Sequence, residues 1–123
     1  MEYTGIEFNQ KYKDVKFVKL TNETENHNNY QFKTGLNIDT VKFRPEGTCK
    51  AGGIYFIRVA NIVDWLSYND KVMKYIRDVT VPDDAKVFDE GDKFKADKLV
   101  LSERRETSDY YLSILIPVTF IYY

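Results

Sequence analysis

Cysteine and histidine are almost missing from this chain: Cys49 and His27 are its only ones in 123 residues. A lone cysteine closes no intrachain disulfide, which suits a reducing compartment. One of each also falls short of a closed zinc site, which takes about four such ligands. Net charge is lacking too, because 18 Lys and Arg stand against 19 Asp and Glu. Affinity for nucleic acid rests on neutralising phosphates, so this balance argues against a protein that coats them. No apolar run reaches the ~20 residues of a membrane-spanning helix. The start, Met1-Glu2-Tyr3-Thr4-Gly5, has neither the basic nor the apolar region of a secretion signal. Internal repeats and low-complexity linkers are absent, and the length is that of one domain.

Aromatic residues are abundant instead. Ten Tyr, eight Phe and one Trp make up 15% of the chain, and such residues favour strands. Met1 to Asp14 is polar with scattered aromatics and reads as a loosely held arm, leaving 15–123 as the globular domain. Val15–Leu20, Tyr30–Lys33, Val41–Phe43, Gly53–Val59, Lys74–Val81, Lys86–Phe88 and Lys98–Leu101 read as short strands, several with period-two alternation. Thr21–Asn29 is a polar loop with nothing to bury. Asn61 can cap a short helix carrying Ile62, Trp65 and Leu66 on one face. In the apolar end, Leu112, Ile114, Ile116, Val118 and Phe120 alternate like a strand. Placed at a sheet edge, Leu112–Tyr123 would pair with a second copy and give a homodimer. The fold class expected is α+β: a mainly antiparallel sheet of short strands in two layers, with one or two short helices.

Half of the six glycines fall in Pro45–Phe56, where a turn runs into the strand Ile54-Tyr55-Phe56. The glycines point to backbone torsions that other residues avoid. Their order is not that of a phosphate-binding loop, in which Lys-Ser/Thr follows the last glycine and opens a helix. Cys49 and His27 would make a nucleophilic dyad only if a basic neighbour such as Lys50 lowered the thiol pKa, and His27 sits in an Asn-rich loop that holds no imidazole in place. Asp83-Asp84 and Asp89-Glu90-Gly91-Asp92 lack the spacing of a calcium loop, so neither a metal nor a cofactor is expected. Two basic groups interleave with aromatics: Lys11, Lys13, Lys16 and Lys19, then Lys93, Lys95, Lys98, Arg104 and Arg105. Meeting on one face, they would hold a nucleic-acid strand by charge and stacking. Interspersed carboxylates make a mixed-charge solvated face the plainer reading.

Residues 29–37 (NYQFKTGLN), 47–56 (GTCKAGGIYF), 75–87 (YIRDVTVPDDAKV) and 91–101 (GDKFKADKLVL) carry a family resemblance. In their order and spacing the chain resembles the amino-terminal domain found before ankyrin-type or pentapeptide-type repeats in proteins of Mimivirus-like giant viruses. No repeat array follows these residues, so a stand-alone domain is expected. The resemblance implies a viral protein, in the host cytoplasm at the viral factory or in the virion, and a recognition role without established activity. A looser similarity is to ADP-ribosyltransferase-like folds. It would give Arg44 and Glu103 catalytic roles and put Tyr55 near a nicotinamide, but the middle Ser/Thr motif is missing. The leading expectation is therefore a non-catalytic protein-interaction module. It would present Cys49, Lys50, Gly52, Gly53, Tyr55 and Arg77 to a protein partner. A nucleic-acid-binding or regulatory protein is the first alternative, and a degenerate transferase the second.

Overall fold

The computed structural model describes residues 1–27, 29–46, 51–65, 67–68 and 71–109. Along the chain run β1 (Glu2–Thr4), α1 (Gly5–Lys11), β2 (Phe17–Thr21), β3 (Asn26–His27), β4 (Tyr30–Gln31), β5 (Gly35–Ile38) and β6 (Ile54–Arg58). A 3-10 turn (Val59–Asn61) leads into α2 (Ile62–Trp65), followed by β7 (Ser67–Tyr68), β8 (Lys71–Val72), β9 (Tyr75–Thr80), β10 (Lys86–Asp89), β11 (Phe94–Ala96), β12 (Lys98–Leu101) and β13 (Arg105–Glu106). The domain is α+β and mostly antiparallel sheet, as the alternating pattern predicts. One nine-stranded sheet follows the order β1-β10-β11-β6-β2-β9-β12-β5, with β13 off this path on β9, and β3-β4 and β7-β8 are small hairpins. The C-terminal strand and the dimer contact expected at Leu112–Tyr123 lie outside the described residues.

Alternation along β2 explains where the core sits. Phe17 joins an aromatic cluster with Phe8, Phe56 and Phe94, while Val18 and Leu20 point the other way, onto Ile57, Ile62 and Ile76. The strand is therefore buried on both faces. In the first cluster Phe8 meets Phe17 at 5.0 Å between centroids and Phe56 edge-on at 5.7 Å. Such ring pairs contribute about 0.5–1.5 kcal/mol each beyond area burial. The second cluster lies beneath α2, whose Ile62 is buried and whose Trp65 packs at its rim. The expected helix face is present there as far as Trp65; Leu66 is not among the described residues.

Two expectations are overturned. The N-terminal segment is no loose arm, because β1 pairs with β10 and α1 inserts Phe8 into the core. A local signal starts this helix. Thr4 Oγ1 accepts from the Glu7 amide at 3.1 Å, and the Glu7 carboxylate accepts from the Thr4 amide at 2.9 Å. This reciprocal cap satisfies two amides that the first turn leaves without partners. Gly5 follows because a Cβ there would collide with the Pro82 carbonyl oxygen. Thr4→Ala is expected to cost about 1 kcal/mol and to lower the thermal midpoint by about 4 °C; a calorimetric scan showing no shift would refute the capping role.

The second correction concerns Thr21–Asn29, which is not a loop with nothing to bury. Thr21 and Glu25 are both buried, and β3 and β4 form a hairpin just beyond them. Glu25 takes a left-handed backbone, φ 51°, a torsion that costs a non-glycine residue of the order of 1 kcal/mol or more. Interactions of its side chain in the interior offset that cost.

Candidate ligand-binding recess

The sheet splits between β2 and β6. Their pairing covers only Phe17↔Arg58 and Val18↔Ile57; β2 then continues along β9 to Thr21, while the first half of β6 pairs with β11. Beyond Val18 the ladder between these strands is open, and the Lys19 side chain closes part of the gap. Lys19 Nζ donates to the Tyr55 carbonyl at 2.6 Å and stands 4.4 Å from the centre of the Phe32 ring. The remainder of the gap is a recess of about 280 Å³, lined by Lys19, His27, Phe32, Tyr55, Trp65 and Lys93 among others.

Burying these cations is energetically awkward. Register places Lys19 directly opposite Arg77 on β9, and both residues are buried, as is the carboxylate of Glu25 that acts on each of them. Glu25 goes to the arginine. Arg77 Nε and Nη2 donate to the two Glu25 oxygens at 2.8 and 2.9 Å, and Nη1 donates to Thr34 Oγ1 and the Ser102 carbonyl. Thr21 Oγ1 and Arg104 Nη1 also donate to Glu25, at 2.9 and 3.4 Å. Burial pushes the Glu25 carboxyl up, but the bonds from Arg77, Thr21 and Arg104 outweigh it and leave the pKa below the usual range. Burial pulls Lys19 down to about 7, against a smaller opposing pull from Glu25.

The other polar groups around the recess respond to the same field. Burial, with Lys19 beside it, holds His27 below its ordinary pKa. Lys93 Nζ lies 3.7 Å from Glu90 and 4.9 Å from the Trp65 ring. Burial pushes the Glu90 carboxyl up, only partly offset by Lys93 and Lys95. Among the described residues no carboxylate lines the recess itself. Its walls include the rings of Phe32, Tyr55, Phe56 and Trp65, and Lys19 and Lys93 bring donors to it.

The sequence-based site sets are redistributed. Tyr55, Lys19 and Lys93 come together, although they had been assigned to different roles. Arg77 is buried, and its guanidinium is used within the fold. Gly52 and Gly53 do have positive φ, 102° and 147°. Gly53 N donates to Asp39 Oδ2 at 2.7 Å, which ties the turn to the end of β5. Cys49 and Lys50 lie outside the described residues, so the Cys49–His27 pairing does too. Arg44 and Glu103 are exposed on separate loops. Glu103 follows β12, three strand positions from Tyr55 on β6, or ~14 Å along the sheet at the usual strand spacing.

The basic groups do not form one exposed stripe. Lys19, Lys93 and Lys95 are buried. Lys98 pairs with Asp84, Arg105 with Asp78 and Arg104 with Glu25, while Lys11 donates to the Tyr3 hydroxyl. Among the described residues no His/Cys/Asp/Glu group could hold a metal, and no helix is long and apolar enough to cross a membrane. Phe32 and Glu25 were missed by sequence reasoning. A lysine between Val18 and Leu20 in an apolar strand was the one usable signal for the recess.

The chain is thus an antiparallel-sheet domain with a lysine-bearing recess, walled in part by aromatic rings, at a split in its sheet. No family model matches it, and no solved structure does. It is 31% identical over 100 residues to a putative ankyrin repeat protein of Acanthamoeba polyphaga mimivirus, a match covering 76% of the chain and 48% of that protein. A second putative ankyrin repeat protein of the same virus is 35% identical over 92 residues, covering 72% of the chain and 19% of the relative. An uncharacterised protein of that virus is 29% identical over 101 residues, covering 80% of the chain and 70% of its own length. The chain is a homologue of Mimivirus ankyrin repeat proteins and spans about half the length of the first of them.

Proposed function

We propose that this domain is a non-catalytic protein-interaction module of a giant virus, acting in the host cytoplasm at the viral factory or in the virion. One observation carries the reading: the chain matches ankyrin repeat proteins yet is built as a sheet. An ankyrin repeat is a turn and two helices in about 33 residues, whereas the longest helix among the described residues, α1, has seven residues. The similarity therefore supports a shared domain outside the repeats, joined in the relatives to an array of a type that binds along an extended concave surface.

The surface we assign to the partner is the β5 edge. Leu36 and Ile38 on β5 are 47% and 52% exposed, and Val100, opposite Leu36 on β12, is exposed as well. At the end of the described sheet, such a strand suits pairing with an extended segment of another protein, with main-chain bonds giving affinity and apolar side chains giving fit. The Gly52–Gly53 turn adjoins it through Asp39.

The test is recovery of partners from virus-infected amoebae, followed by calorimetry of each purified candidate against the wild type and Ile38→Lys. Direct binding that weakens at least tenfold in Ile38→Lys supports the reading. Failure of every candidate to bind directly, or equal affinity of the edge variant, overturns it. A steep loss of binding to duplex DNA with added salt would favour the nucleic-acid alternative instead.

A further inference from the structure

We propose that the recess at the β2–β6 split is a binding site for a small planar anion, an aromatic ring carrying one carboxylate or phosphate group. This goes beyond the protein-interaction reading and does not depend on it, since the β5 edge and the recess are different surfaces.

Three observations point to this ligand. The first is Lys19. An ammonium group has three donors. Among the described residues those of Lys19 find one carbonyl, Tyr55 O, and one ring face, Phe32, with the residue only 6% exposed. The carboxylate that acts on it, Glu25, is already held by Arg77 on both oxygens. A donor is left for whatever occupies the recess that the side chain lines. The second is charge. Lys19, Lys93 and His27 line the space and, among the described residues, no carboxylate does; Glu90, 3.7 Å from Lys93, is held towards its neutral form by burial. The third is shape. Phe32, Tyr55 and Trp65 give the recess flat apolar walls, on which a ring can lie. A volume of about 280 Å³ corresponds to about nine waters and suits a ligand of about 10–15 non-hydrogen atoms, at the small end of ligand sites.

Binding needs no covalent step. The anion takes a hydrogen bond from Lys19, which is then held protonated, and the ring displaces water from the aromatic walls. Lys19 is a binding residue here and not a nucleophile.

The probes are 2-naphthoate and its neutral isostere 2-naphthamide. Calorimetry on the wild-type chain is expected to show naphthoate binding at sub-millimolar Kd and at least ten times tighter than the amide. Trp65, the only tryptophan in the chain, reports the same event in fluorescence. Lys19→Met is expected to bind the two probes equally. Should that variant fold poorly, amide shift mapping on the wild type replaces it, with naphthoate moving Thr21, His27 and Tyr55. Absence of binding at 5 mM, equal affinity of the wild type for both probes, or shifts clustered away from these residues would overturn the proposal. A naphthylphosphate series then separates phosphate from carboxylate preference.

Discussion

Replacing Arg77 with Met lowers stability by roughly 3–5 kcal/mol. The substitution removes no aromatic packing; its cost comes from the group left behind. Glu25 is buried, its side chain 4% exposed, and Arg77 supplies the principal counter-charge, bonding both of its oxygens. Arg104 approaches at 3.4 Å from a half-exposed position and compensates little of the desolvation. Thr21 supplies a hydrogen bond but no charge. Glu25→Gln in the Arg77→Met background should restore part of the loss, because the second change removes the stranded anion. Urea unfolding of the two single variants and the double variant measures this directly. Purely additive losses would show that the pair is not a coupled unit.

Stability should also rise with pH between about 7 and 9, at up to about 1.4 kcal/mol per unit, and Lys19→Met should abolish the slope. The sign follows from proton counting. In the unfolded chain Lys19 keeps its proton up to its ordinary pKa of 10.5, whereas in the fold it releases it near 7. Between those values the unfolded state binds the extra proton, so raising the pH favours the fold. Below about 7 both states are protonated, and the full penalty of a buried ammonium remains. There Lys19→Met is expected to be more stable than the wild type by about 1–4 kcal/mol.

The groups facing Lys19 do not imitate this window. Glu25 titrates below its ordinary range, and His27 below its own. Tyr55 and Lys93 remain in the variant, so the difference between the two proteins isolates Lys19. Midpoints of chemical unfolding across pH 6–9 supply the measurement. Parallel curves for wild type and variant would show that Lys19 does not carry the linkage.

These two expectations mark where sequence reading stopped. Period-two alternation located β2 and β9, and short apolar stretches between turn signals located β6, β10 and β12. Glycine positions at 52 and 53 were legible for a similar reason, since positive φ is a local property of the backbone. The helix at α1 was missed although its capping pair, Thr4 and Glu7, was visible; a polar surface hid one buried ring, Phe8. The segment around Glu25 was read as solvated because its composition is polar, and composition does not register one carboxylate turned inward.

The basic clusters failed as an interface for a related reason. Counting lysines along the chain treats all of them as exposed. Lys19 and Lys95 lie in strands, and strand neighbours on both sides decide whether an ammonium reaches water. The same burial gave Lys19 a role that its position among Lys11, Lys13 and Lys16 did not suggest.

The order of residues alone determined a strand-rich antiparallel domain without disulfide or zinc framework, because cysteine count and local periodicity are properties of short stretches. Only the tertiary structure decided that Glu25, Arg77 and Lys19 share one interior site. Glu25 and Arg77 are 52 residues apart in the chain, and the register of β2 on β9 sets Lys19 opposite the arginine. That register is chosen by packing across the whole sheet, so the charge imbalance it creates, and the recess beside it, appear only when the strands are assembled.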